Sequence, residues 1–153
     1  MTDRTAFTDE EWKALAEAPL QMTVAIMAAG PHRPLTMIKE AAASAREIAR
    51  PPAHGAADEL IAEIATDARG HEARHDVEAR RPGDTPDQIV ERALAALQQA
   101  VTALAKIGDD EAAGVRAWFA EIAQVVAGAS KAVTPDEQQV LDRITGLLQV
   151  EPA

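Results

Sequence analysis

Thr85 to Ile107 reads TPDQIVERALAALQQAVTALAKI, and this stretch decides the fold class. Val90, Leu94, Leu97, Val101 and Leu104 recur at steps of four and three, the repeat that lines residues up on one stripe of an α-helix. Thr85 suits the N-cap, Pro86 the first helical position, where no backbone N–H is needed, and Gln88 the position that closes a capping box. Gly108 follows and ends the helix. At about 1.5 Å per residue the segment is about 34 Å long. With Ala93, Ala96, Ala100 and Ala103 beside the stripe, neighbours can approach it closely on more than one side. The stretch predicts the central rod of a helical bundle.

The rest of the composition agrees. The chain has 153 residues, rich in alanine, with no tyrosine and an aromatic fraction of 3%. Alanine is the strongest helix former and strand formers are scarce, so the expected class is all-α, one domain over residues 1–153 with six or seven helices. A formal net charge of −10, from 15 Lys and Arg against 25 Asp and Glu, repels phosphates and argues against nucleic acid as a partner. Cysteine is absent, which removes disulfides, thiolate metal sites and cysteine nucleophiles together. The acidic, polar start MTDRTAFTDEEWK lacks the basic and then apolar order of a signal peptide. The apolar run Leu20 to Ala29 contains Gln21 and Thr23 and is too short to cross a bilayer core of about 30 Å. A cytoplasmic protein is the expectation.

Other helices flank the rod. Thr8 and Glu11 form a second capping box, with Phe7 and Trp12 spaced as a hydrophobic staple. Pro19 kinks that helix or starts a new piece, and Leu20, Val24 and Met27 carry an apolar face to Ala29 before GPHRP breaks the chain. A helix from about Leu35 to Arg50 should turn Leu35, Ile38, Ala42, Ala45 and Ile48 inward and end at Pro51 and Pro52. Leu60, Ile61, Ile64 and Ala68 mark another helical face between Ala56 and Arg69. Beyond the rod, Asp109 and Asp110 favour the start of a helix carrying Val115, Trp118, Phe119, Ile122, Val125 and Val126. Thr134, Pro135 and Glu137 cap a last one with Val140, Leu141, Ile144, Leu147 and Leu148. The first two segments and the last two share an order, an aromatic-bearing helix ending in small residues, a short loop, then an amphipathic helix. They read as two related helix-pair units around the central helix.

Ala127 to Ile144, AGASKAVTPDEQQVLDRI, resembles the helix-loop-helix of the TerB-like family, named for a tellurite-resistance protein. Ala129, Val133 and Glu137 stand at the family's alanine, aliphatic and glutamate positions, while Ser130 and Lys131 replace its aspartate and glycine. The resemblance implies a helical bundle built from two such pairs and a stress-associated role. Hard cations need acidic oxygens, and a lysine among the ligand positions removes the reason to expect one in this loop. Thr134 and Glu137 then serve as a helix cap.

His71-Glu72-Ala73-Arg74-His75 matches H-E-x-x-H, in which two histidines one turn apart bind zinc and the glutamate activates water. Glu78 falls on the same face, and Ala57, Ile61, Ile64, Ala68, His71 and His75 follow one line if Gly70 does not break the helix. Arg74 and Asp76 make the surround polar, and no strands are expected that could build the cleft of a zinc protease. Glu72 and His75 also form half of a di-iron motif, but neither His32 nor His54 follows a glutamate at the required spacing to supply the other half. His32 and Arg33, between two prolines, offer a contact for an anion or a solvated turn. The only serines are Ser44 and Ser130, which leaves little for a serine hydrolase. The leading expectation is therefore a helical protein that acts through protein contacts or self-association, without cofactor. The alternative is a metal-binding protein or hydrolase using His71, Glu72 and His75.

Overall fold

The computed structural model describes residues 2–30, 34–70, 84–129 and 133–149. Among them are six α-helices and no strand: α1 (Asp9–Ala29), α2 (Pro34–Ala49), α3 (Asp58–Ala68), α4 (Pro86–Ala103), α5 (Asp109–Ala127) and α6 (Pro135–Leu148). Short 3-10 turns occupy Arg4–Ala6, Gly55–Ala57 and Leu104–Lys106. None of the helices is long and apolar enough to cross a membrane.

The starts follow side-chain chemistry. Thr8, Thr85 and Thr134 each accept from the N–H three residues on, and Glu11, Gln88 and Glu137 each reach back to the capping residue's own N–H. These boxes satisfy backbone donors that the first helical turn leaves open. The Phe7–Trp12 staple is formed with ring centroids 6.0 Å apart, and Trp12 Nε1 donates to Asp67 Oδ2 at 2.5 Å.

One apolar cluster runs through the molecule. Val90, Leu94, Leu97 and Leu104 are buried in it and Val101 packs at its edge, as the stripe predicts. The hub, however, is α1. It touches all five other helices and packs most extensively on α4, whereas α4 leaves Gln98 and Gln99 exposed. Small residues explain the difference: Ala14, Ala16, Ala18 and Ala25 are buried on several sides of α1, so helices can close on it all round. The helix also runs unbroken through Pro19, which lies inside it. Its deep face consists of Leu15, Ala18, Met22, Ala25 and Ile26, with Leu20, Val24 and Met27 only half-buried.

Helix α3 carries Leu60, Ile61, Ile64 and Ala68 into the core and stops there, closed by Arg69 N–H on the Ala65 carbonyl and Gly70 N–H on Asp67. The apolar line from Ala57 is helical as far as Ala68, and its continuation to His71 and His75 lies outside the described residues. Before α3, the turn Gly55–Ala57 seats directly on α5. A Cβ at Gly114 would lie 2.4 Å from Ala57 Cβ and 3.3 Å from the His54 carbonyl oxygen, so only glycine permits this approach.

Candidate functional site

Helix α2 turns much of its apolar pattern toward solvent. Ile38 is 65% exposed, and Ala41, Ala42, Ala45 and Ala49 are exposed beside it. The inner face is Glu40, Ala43, Ser44, Glu47 and Ile48. Of the inward set expected on α2, Ile48 is buried, Ile38, Ala42 and Ala45 face solvent, and the side chain of Leu35 lies outside the described residues. Polar groups survive this burial by finding partners. The Ser44 and Thr23 hydroxyls are hydrogen-bonded at 2.8 Å, with Thr23 donating to the Pro19 carbonyl at 2.9 Å, and Glu47 receives Arg50 at 3.4 Å.

Glu40 meets a different partner. It is 1% exposed and close enough to feel the charge of Glu137, itself fully buried at the start of α6. Burial, and then the like charge of Glu137, push the Glu40 carboxyl up to about 7. Among the described residues, Glu40 Oε1 and Glu137 Oε2 have no hydrogen-bond partner. The other Glu137 oxygen accepts from Thr134 N–H at 3.2 Å, and Glu137 N–H donates to Thr134 Oγ1 at 3.2 Å. Glu137 is thus the predicted cap and also half of a buried carboxyl pair. The pair rests on a close approach: a Cβ at Gly30 would come within 3.0 Å of the Glu137 carboxyl carbon.

The outer side of α2 has its own chemistry. Lys39 and Arg46 flank the apolar stripe and are exposed, and Arg50 is largely exposed at the helix end. The acids of α2, Glu40 and Glu47, are both buried, so the outward face is cationic on an acidic chain. At its C-terminal end this face meets a cleft of about 570 Å³ lined by Arg50, Pro51, Pro52, Trp118, Ala120 and Val125, among others. Val125 was expected in the core; it is 37% exposed and forms part of the cleft. His54 Nε2 lies 3.1 Å from Glu121 Oε2 on the cleft wall. A histidine–carboxylate pair can serve a general base, but the hydroxyl that lines the same cleft, Thr145, donates to the Leu141 carbonyl at 2.9 Å. The cleft therefore presents an amphipathic contact surface without an activated nucleophile among the described residues.

Trp118 and Phe119 are core residues, their rings 5.5 Å apart. His71, Glu72 and His75, together with Arg74, Asp76 and Glu78, lie outside the described residues, as do His32, Arg33, Ser130 and Lys131. Among the described residues no group of three His, Asp or Glu is assembled to hold a metal ion. Sequence reading missed Glu40, although Glu40, Ser44 and Glu47 at steps of four and three trace one helical stripe as clearly as the apolar residues do. Of the loop that resembles the TerB-like family, Ala129, Val133 and Glu137 are described, and Val133 is 38% exposed. No protein-family model, no curated protein and no solved structure matches this chain.

Proposed function

We propose that this chain works through protein contact, and that the outward face of α2 is the surface it uses to associate with further copies of itself. The observation that carries the reading is the exposure of Ile38 in the middle of an alanine stripe flanked by Lys39 and Arg46. Helices of globular proteins normally bury such a stripe. Small side chains let another helix approach closely, and an exposed apolar stripe rimmed by charge is the usual form of a contact site. The occupant follows from charge. Two α2 faces laid on each other would oppose Lys39 and Arg46 to their own copies, whereas the rest of this acidic chain offers carboxylates, as at Asp109, Asp110 and Glu111 in the first turn of α5. The contact is therefore heterologous, one copy's cationic α2 against another copy's acidic surface.

Sedimentation of the full chain from low to high micromolar concentration tests this. The wild type is expected to exceed the monomer mass at the upper end, less so in raised salt because exposed charges are screened. Ile38→Asp, and Lys39→Glu combined with Arg46→Glu, should remain monomeric with unchanged helical circular dichroism. A monomer at every concentration, or variants that associate as the wild type does, would overturn the reading.

A further inference from the structure

A carboxylate only accepts hydrogen bonds, whereas a carboxylic acid also donates one. Glu40 and Glu137 bring two such groups together in the interior, each with one oxygen that no other group satisfies. If both were ionised, two like charges would share a site with little water to separate them and both oxygens would remain unsatisfied. One proton between them satisfies both. Arg50 engages Glu47 and His54 engages Glu121, Lys39 and Arg46 are exposed on α2, Thr23 of α1 holds Ser44, Gly30 lies against Glu137, and on α5, the helix on which α2 packs most, Arg116 is half-buried with its Nε unpartnered. Among the described residues the charge that bears on Glu40 is that of Glu137.

We propose that Glu40 and Glu137 share a single proton as a clasp between α2 and the start of α6, and that loss of this proton releases α2 from the bundle. The asymmetry between the two helices decides which one moves. Val140, Leu141, Ile144 and Leu148 anchor α6 in the core, whereas among the described side chains α2 buries Ile48, Ala43 and one hydroxyl pair beside its two carboxyls. Deprotonation places a second negative charge against Glu137, and the less firmly held element yields. Because the Glu40 carboxyl titrates close to neutrality, a modest change in pH near 7 shifts the population. Release exposes Glu40, Ser44 and Glu47, which water solvates readily, and of the large apolar side chains described as buried on α2 only Ile48. This inference is independent of the association proposed above.

Two readouts on the full chain test it. Carbon-detected titration of the glutamate carboxyls should show one group with a midpoint near neutrality. That signal should vanish in Glu40→Gln, and in Glu137→Gln the Glu40 midpoint should fall toward the ordinary carboxylate range. Hydrogen exchange, corrected for the intrinsic effect of pH, should accelerate across neutrality in Pro34–Ala49 by about tenfold or more relative to Pro86–Ala103, as a local opening would. Should the glutamine variants fail to fold, the wild-type titration and exchange decide alone. Glutamates that all titrate in the ordinary range, a Glu40 midpoint unmoved in Glu137→Gln, or α2 exchange that tracks α4 would each overturn the clasp. Restoration of α2 protection by added calcium or magnesium, with loss of that effect in Glu40→Gln, would also overturn it, since a cation and not a proton would then join the carboxylates.

Discussion

Helices α2 and α6 each follow a longer, tryptophan-bearing helix in the chain, and both begin at a proline, Pro34 and Pro135. Aligned on those prolines, Glu40, Ala43 and Glu47 of α2 stand where α6 has Leu141, Ile144 and Leu148, and all six are buried. Past its cap residue Glu137, the later helix follows the rule that apolar side chains go inside. The earlier one departs from it, burying two carboxyls beside Ala43 and Ile48 and exposing Ile38. Residue type therefore did not choose the inner face of α2; its partners did. Burying an alanine stripe gains little, because a methyl group removes little apolar area from water. Here the polar face finds Thr23, Arg50 and Glu137. Leaving Ile38 in water instead of burying it forgoes about 1.5–3 kcal/mol, a gain that contact with another chain can recover.

The largest effect is expected from removing a large apolar group from α6. Leu141→Ala deletes a side chain that is 5% exposed and leaves a cavity, so chemical denaturation should report a loss of about 2–5 kcal/mol. A loss well under 1 kcal/mol would mean that α6 is held no more firmly than α2, and the contrast would fail.

The next test gives α2 the residue that α6 carries. In the wild type the folded Glu40 carboxyl binds its proton more tightly than the unfolded one, so its contribution to stability is fully present below about 4.5 and is lost as pH rises through about 7. Thermal midpoints should therefore fall across that window. Glu40→Leu should remove this slope and melt above the wild type at pH 8, because replacing a poorly compensated buried charge by an apolar group of similar volume relieves its desolvation. An unchanged slope in Glu40→Leu would show that another group titrates there.

These contrasts also mark how far the sequence was legible. Local signals read correctly: the three capping boxes depend on residues three apart, and the stripe Val90 to Leu104 is apolar enough to have one reading. What failed was orientation wherever the apolar residues are small. Ile38, Ala42 and Ala45 looked like a core face because alanine counts as apolar, though it has little to bury. The hub failed for a related reason: alanines on several sides of α1 weaken any single stripe, so the more strongly amphipathic Thr85–Ile107 segment read as the centre. The candidate site was hidden more deeply. Glu137 was visible as a cap, but its neighbour Glu40 lies on a different helix far away in sequence, and nothing local to either residue announces the pairing. Gly30 gave a weak clue, being a glycine at a helix end where the chain needs space for the Glu137 carboxyl.

A smaller effect belongs to the cap itself. Thr134→Ala should cost about 1 kcal/mol, the usual value for an N-cap hydroxyl, in the same range as Thr85→Ala, where the box is formed by glutamine. If the two losses differ, the excess in α6 belongs to Glu137: its backbone N–H loses the Thr134 hydroxyl, and the loosened helix start shifts the carboxyl that the backbone N–H of residue 134 still holds, disturbing the buried pair. A double-mutant cycle with Glu40→Gln separates these, since coupling is expected for Thr134 and none for Thr85.

The smallest change in stability is expected on the outer face of α2. Ile38 is largely in solvent, so Ile38→Ala removes little buried area from a single chain and should alter its folding free energy by no more than about 0.5 kcal/mol. That holds only while the protein is dilute. Binding to the folded state raises apparent stability with concentration, so an α2 contact between copies would lift the wild-type melting temperature as the protein is concentrated. Ile38→Ala, lacking the side chain at the centre of that contact, would stay nearly flat. The two proteins should therefore melt together at low micromolar concentration and diverge at high. Divergence already present in dilute solution would make Ile38 a partner within its own chain and remove the departure of α2; coincidence at every concentration would leave the departure intact and remove the second copy as its explanation.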